Sequence, residues 1–237
     1  MGRSRTCEAG DARQHDWRRI GGHHIRRLVI WLHCQASLEG WGFGRSFLPG
    51  GSLAVPRGNE VVSVINDMAK RFANVVLTQD WHPAGHRSFA SSHPGKKPFD
   101  KITLDYGEQI LWPDHCVQGT EGARLCRDLD LAHAQLVLRK GYHMAVDSYS
   151  AFIEADGKTT TGLRGYLRER GIDSVYVCGL ATDFCVAWTA LDACKLGFAA
   201  AVIDDACRAI DTQGSLTAAW ERMERAGVKR MQSGDVA

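Results

Sequence analysis

The chain has 237 residues, with 29 lysines and arginines against 27 aspartates and glutamates and a formal net charge of +2. This balance gives no electrostatic reason to expect a nucleic acid or an anionic membrane as a partner, and no apolar run reaches transmembrane length. The length suits one α/β domain with a sizeable core. Eight cysteines without a CxxC pair are typical of a protein of the reducing cytoplasm.

Residues 1–46 differ in composition from the rest of the chain. They hold eight arginines and no lysine, four of the ten histidines and three of the seven tryptophans. Their hydrophobic periodicity is poor, except for a run at residues 28–32 that could form one strand. We therefore separate an atypical N-terminal segment, residues 1–46, from a regular domain, residues 47–237.

From Phe47 onward, apolar runs and amphipathic stretches alternate. The predicted strands are residues 74–78, 135–139, 175–177 and 199–204. The predicted helices are one after Pro56 with an apolar stripe from Val61 to Phe72, and residues 163–170, 184–196 and 213–226. This alternation predicts a parallel sheet covered by helices on both faces, a three-layer α/β/α fold. The irregular stretch 79–119 is too long for a plain connector, and we expect it to fold over a site.

One strand–turn–helix unit carries a candidate nucleophile. Gly179 is expected to end the strand, and Thr182 and Asp183 to cap the helix that follows. Gly197 is placed to close that helix. Cys185 then lies in the first turn of a buried helix, where unpaired N–H groups and the helix dipole favour a thiolate. The alternative is that Cys185 is a small buried core residue.

Three polar residues follow predicted strands. Asp80, Lys140 and the loop that leads to Cys185 each come directly after a strand's last residue. Because ligands bind at the carboxyl ends of strands in open parallel sheets, we expect these groups to share one site. Taken singly, they could be a loop carboxylate, a solvated charge and a core residue.

Asp80 and His82 form a second candidate group. In an extended segment residues i and i+2 point the same way, so the carboxylate and the imidazole could hold one cation. His115 in the long segment could add a ligand, and mixed Asp/His ligation suits Zn, Fe or Mn rather than Ca. Alternatively, Asp80 caps a turn and the histidines lie at the surface.

Five motifs together carry a family resemblance. They are Phe47-Leu-Pro-Gly-Gly-Ser-Leu-Ala-Val, Thr78-Gln-Asp-Trp-His-Pro, Trp112-Pro-Asp-His-Cys-Val, Lys140-Gly with Asp147-Ser-Tyr-Ser-Ala-Phe, and Gly179-Leu-Ala-Thr-Asp-Phe-Cys. Over residues 47–237 the sequence resembles the nicotinamidase/pyrazinamidase family of isochorismatase-like cysteine hydrolases. The resemblance implies conversion of nicotinamide, and of pyrazinamide, to the acid and ammonia in NAD salvage. The partner would be this small substrate, and a homo-oligomer is compatible with the sequence.

The resemblance also implies residue roles. Cys185 would be the nucleophile and Lys140 a triad member that favours its thiolate. The Leu180–Ala181 peptide would be cis, and the N–H groups of Ala181 and Cys185 would form an oxyanion hole. One divalent ion would be held by Asp80, His82 and His115, with His86 as a further ligand. The pyridine ring would lie among Phe47, Trp112 and Tyr149.

One departure from the family affects the triad. The family carries Asp-x-Gln-Asn-Asp-Phe before the Pro-Gly-Gly turn, and counting back from Phe47 places the first aspartate at Gly42. The nearest acid is Glu39, in an unrelated context, as expected after a frameshift or a mistaken start. We therefore expect weak or absent turnover by this chain, with residual affinity for nicotinamide. The alternatives are another isochorismatase-like amidohydrolase, or a nicotinamide-binding homologue without catalysis.

Overall fold

The structure is a computed structural model that describes residues 27–32, 47 and 50–236. In chain order its strands and helices are β1 (Arg27–Leu32), α1 (Val61–Ala69), β2 (Asn74–Asp80), β3 (Lys101–Leu104), β4 (Gly107–Ile110), β5 (Leu136–Lys140), α2 (Leu163–Glu169), β6 (Ser174–Leu180), α3 (Ala187–Lys195), β7 (Ala199–Arg208), α4 (Ser215–Arg225) and β8 (Lys229–Met231). This is the predicted α/β fold.

Six parallel strands form the main sheet, in the order β5-β2-β1-β6-β7-β8. β1 is central, because Leu28 pairs with Asn74 of β2 on one side and with Val175 of β6 on the other. The prediction of a strand at residues 28–32 is therefore confirmed. The chain moves outward from β1 in one direction and from β6 in the other, which makes the gap between them a switch point where ligands bind.

The predicted apolar stripe of α1 lies in the core. Val61, Ile65 and Met68 are all buried, and the helix packs on β7. Burial of such side chains stabilises the fold by about 1.5–3 kcal/mol each relative to full exposure. Within the described ranges, no helix is long and apolar enough to cross a membrane.

Two strands extend further than predicted, and this matters for the site. β2 includes Asp80 and β5 includes Lys140, and these two residues are register partners at the strand ends. Each is thus the last residue of its strand, not the first residue of a loop. Backbone pairing with the neighbouring strand keeps a polar residue extended, although its side chain gives no strand signal.

The long segment 79–119 contains an element that the sequence reading missed. β3 and β4 form an antiparallel hairpin, and Gly107, the first residue of β4, has φ 123°. The strands have four residues each, too short for a clear alternation of apolar and polar positions.

The strand–turn–helix unit departs from prediction at its junction. β6 does not end at Gly179 but continues to Leu180. A π-helical turn, Thr182–Val186, follows before α3 begins. Gly197 does close the helix, with φ 82°. The Leu180–Ala181 peptide bond is cis, as the resemblance implied.

Candidate active site

A cavity lies at the carboxyl edge of the sheet, where β1, β2, β5 and β6 end. Most of the predicted site residues line it, namely Phe47, Asp80, His82, Trp112, His115, Tyr149, Ala181 and Cys185. Residues from the two sides of the switch point therefore meet at one place. Gly42 and Glu39 lie outside the described residues.

Lys140 lies beside the nucleophile candidate. Its Nζ is 3.6 Å from the Sγ of Cys185 and 2.5 Å from the carboxylate of Asp80, and it also donates to the carbonyl oxygen of Ser148. The Lys140 side chain is completely buried. Burial by itself lowers its pKa, but the Asp80 carboxylate, through its charge and its hydrogen bond, holds that pKa above its ordinary value. The group is therefore an ammonium at neutral pH.

The expectation of a stabilised thiolate at Cys185 is wrong for the protein without substrate or metal. Burial raises the pKa of the Cys185 thiol to about 12. Lys140 lowers that pKa, but the desolvation of the thiolate is larger, and the negative charges of Asp80 and Asp147 add to it. The site thus pairs a thiol with an ammonium.

Two histidines hold their Nδ1 atoms on backbone carbonyls, which leaves Nε2 as the candidate metal-ligating atom of each. The Nδ1 of His82 lies 2.8 Å from the carbonyl oxygen of Gly141, and the Nδ1 of His115 lies 2.9 Å from that of Pro113. Because a carbonyl only accepts, both Nδ1 atoms carry the proton and the lone pairs are on Nε2. Burial lowers the pKa of His82 to about 3 and also lowers that of His115. Both rings are neutral, as metal ligands must be.

His86 is held differently. Its Nε2 lies 2.9 Å from the carbonyl oxygen of His143 and therefore carries the proton. Its Nδ1 accepts from the Ser88 hydroxyl at 2.7 Å and from the Ser88 amide at 3.2 Å. Both ring nitrogens are thus used within the protein, while the ring centroid lies 4.6 Å from that of His82. Because both of its nitrogens are hydrogen-bonded, His86 packs beside His82 and has no spare lone pair for a metal in this arrangement.

Candidate ligand atoms fall into two adjacent groups. Asp80, His115 and Cys116 offer atoms within 4.8 Å of one another, and so do His82, His86 and Asp147. The two groups are adjacent, because the ring of His82 in one group and the ring of His115 in the other have centroids 4.8 Å apart. One carboxylate and two neutral imidazoles, those of Asp80, His82 and His115, fit the preference of Zn, Fe or Mn.

Aromatic rings form the apolar wall of the cavity. Trp112 packs edge-on against Phe184 with centroids 4.9 Å apart, and its Nε1 donates to the Tyr149 hydroxyl at 3.1 Å. Phe47 packs edge-on against His115. Such a wall is suited to a flat, mostly apolar ring.

The sequence reading assigned no role to several residues that line the cavity. They are Leu53, Asp147, Ser148, Phe184 and Ile210. Asp147 is buried, and its carboxylate accepts from the Gln109 side chain at 2.9 Å and the Ser148 amide at 2.8 Å. Asp147 stands two residues before Tyr149 in one of the five family motifs, and this position is the sequence signal that could have identified it as a site residue.

Asp183 does not cap a helix, contrary to prediction. Its carboxylate accepts from the amides of Ile210 and Asp211 and from the Ser215 hydroxyl. It therefore ties the turn that carries Cys185 to the segment between β7 and α4. The partners lie 27 to 32 residues away, so local sequence could not reveal them.

Comparison with known proteins gives a family. The sequence profile of the Isochorismatase domain matches residues 32–235, so the chain belongs to the isochorismatase family. The nicotinamidase of Acinetobacter baylyi is 58% identical over 190 residues, which are 80% of this chain and 89% of the relative.

Solved structures extend the comparison. A nicotinamidase/pyrazinamidase of Acinetobacter baumanii has a TM-score of 0.85 and 54% identity, with 91% of this chain and 100% of the relative covered. A pyrazinamidase of Pyrococcus horikoshii, in complex with zinc, has a TM-score of 0.67 and 31% identity, with 87% and 99% covered.

Proposed function

We propose that this protein is a nicotinamidase, an amidohydrolase that converts nicotinamide and pyrazinamide to their acids and ammonia in NAD salvage. The observation that carries the proposal is the buried Lys140–Cys185 contact of 3.6 Å beside the ring-lined cavity. The 58% identity to a nicotinamidase supports the choice of substrate.

Cys185 acts as the nucleophile in this proposal. Its sulfur forms a bond to the carboxamide carbon, and the carbonyl oxygen takes the negative charge toward the amides of Ala181 and Cys185. The Lys140 ammonium stabilises the sulfur charge as the thiol proton passes to the carboxamide nitrogen. The C–N bond then breaks, and that proton departs on ammonia. Water attacks the thioester, which releases the acid and returns a proton to the thiol.

The proposed ring site combines the aromatic wall with a metal centre. Phe47, Trp112 and Tyr149 would flank the pyridine ring. A divalent ion, Zn, Fe or Mn, held by Asp80, His82 and His115 would supply a Lewis acid for the ring nitrogen. The zinc complex of the Pyrococcus relative supports an ion of this kind.

The test is ammonia release from nicotinamide, with Zn, Mn and Fe added in turn. We expect metal-dependent release by the wild-type protein and none by Cys185→Ala. Cys194→Ala is the matched control, since Cys194 is a half-buried thiol of α3 outside the cavity. Nicotinamide binding without any ammonia release would instead favour the non-catalytic homologue. Equal rates for the two cysteine variants would contradict the proposal.

A further inference from the structure

A second, larger cavity adjoins the aromatic wall. This outer chamber has a volume of about 490 Å³ and shares Trp112, Tyr149 and Phe184 with the reaction cavity. Its remaining walls include Phe99, Lys101, Glu108, Trp188, Gln213 and Arg222. The volume is in the range of small-molecule sites, roughly 300–1,000 Å³.

Arg222 presents an unused cationic group to this outer chamber. Among the residues that the structure describes, its Nε is buried and has no hydrogen-bond partner, and its guanidinium makes no ion pair with a described carboxylate. The guanidinium lies 5.2 Å from the centroid of the Trp188 ring. A guanidinium fork without a partner is a receptor for a planar, two-oxygen anion.

The other charged groups of the outer chamber are already engaged. Lys101 and Glu108 form an ion pair at 2.9 Å. The Asp183 carboxylate accepts hydrogen bonds from two backbone amides and a serine hydroxyl. Among the described charged residues of this wall, Arg222 is therefore the one without an ion-pair or hydrogen-bond partner for its guanidinium.

The outer chamber also displays large aromatic surface. Phe99 is 47% exposed and Trp188 is 40% exposed, and the Trp188 ring lies nearly parallel to that of Tyr149 at a centroid distance of 6.5 Å. A flat ring stacked on Trp188 would cover this apolar surface. The guanidinium over the same ring places the cation where a carboxylate on that ligand can reach it.

We propose that the outer chamber binds a planar aromatic carboxylate, with its ring against Trp188 and its carboxylate on Arg222. The two residues that would hold the ligand, Trp188 and Arg222, do not line the reaction cavity, and the ligand is an acid where the proposed substrate is a neutral amide. This inference stands on the geometry of the chamber and does not require that the protein hydrolyse nicotinamide.

The probes are 2-naphthoate and the neutral 2-naphthamide, with binding measured by calorimetry on the full chain. We expect the acid to bind at one equivalent and at least tenfold more tightly than the amide. Arg222→Gln should remove this preference, and Arg222→Lys should keep part of it. The matched control is Arg225→Gln on the same helix, because Arg225 is exposed and lies outside the chamber.

Amidase kinetics test whether the acid-binding site in the outer chamber is distinct from the reaction cavity. Arg222→Gln should leave kcat/KM for nicotinamide within about twofold of wild type, since Arg222 does not line the reaction cavity. The proposal is overturned if wild type binds the acid and the amide equally, or if Arg222→Gln binds the acid as tightly as wild type does. It is overturned as well if Arg225→Gln weakens acid binding as much as Arg222→Gln does. It is also overturned if Arg222→Gln loses both acid binding and amidase activity. Absence of amidase activity in wild type would contradict the proposed function alone, because the binding comparison is read without turnover.

Discussion

The Nζ of Lys140 lies 3.6 Å from the Sγ of Cys185, although the two residues are 45 positions apart. Lys140 is the last residue of β5, and Cys185 lies in the π-helical turn that follows β6. Asp80, the register partner of Lys140 on β2, completes a buried line of carboxylate, ammonium and thiol. Because both side chains are buried, the Asp80 carboxylate and the Lys140 ammonium each need the other's charge as compensation.

Lys140→Met is expected to destabilise the protein as well as inactivate it. The substitution removes the ammonium from beside the buried Asp80 carboxylate, and breaking a buried ion pair in this way costs about 3–5 kcal/mol. Urea unfolding should show this loss. The double variant Asp80→Asn/Lys140→Met buries no net charge, so it should recover part of the stability while remaining inactive. Equal stability of the single and the double variant would contradict the buried ion pair.

The Cys185 thiol is expected to alkylate slowly in protein stripped of metal. Because its pKa is raised to about 12, its thiolate fraction should grow about tenfold per pH unit well beyond pH 9. Iodoacetamide labelling followed by mass mapping gives the rate at each pH. A rate that levels off below pH 8 would show that Lys140 outweighs burial.

His82→Ala is expected to lose bound metal. His82 lines the cavity, and its lone pair is on Nε2 because Nδ1 is fixed on the Gly141 carbonyl. Elemental analysis should find about one equivalent of divalent ion in wild type and far less in the variant. His93→Ala is the control, since His93 lies outside the cavity and bonds to the Arg87 carbonyl. Metal content equal to wild type in His82→Ala would refute the assignment.

Gly141→Ala is expected to disturb the same histidine through the backbone. A Cβ at residue 141 would lie 2.5 Å from the Cε1 of His82, and the backbone there has φ +65°. Displacement of the ring should reduce both metal content and ammonia release. Gly157→Ala isolates the backbone effect, because its φ is +69° and its Cβ would meet nothing within 4 Å. If the two variants lose the same amount of activity, the His82 contact is unimportant.

Exchange of residues 28–46 for a family strand that ends in Asp-Val-Gln-Asn-Asp is expected to raise turnover. A carboxylate that moves a proton toward the leaving nitrogen typically contributes 10²–10⁴-fold. Nicotinamide affinity should change little, since the described cavity residues lie outside the exchanged segment. Steady-state kcat gives the result, and the same exchange with Asn in place of the first Asp is the control. A high kcat in the unmodified chain would contradict the prediction.

The sequence by itself determined the fold class, because apolar runs and amphipathic stretches are local patterns. It also located β1 within a compositionally odd segment, since an apolar run bounded by polar residues is a strand signal wherever it occurs. The grouping of Asp80, Lys140 and Cys185 was predictable too, because parallel strands end at one edge of a sheet.

The tertiary structure alone decided how those groups behave. Whether Cys185 is a thiol or a thiolate depends on the balance of burial against Lys140, and desolvation is set by every element packed around the site. The same holds for Asp183, whose partners come from a segment nearly thirty residues away. Hydrogen bonds to distant carbonyls also fix which nitrogen of His82 and of His86 carries the proton. Such contacts depend on three-dimensional packing, which has no local pattern in the chain.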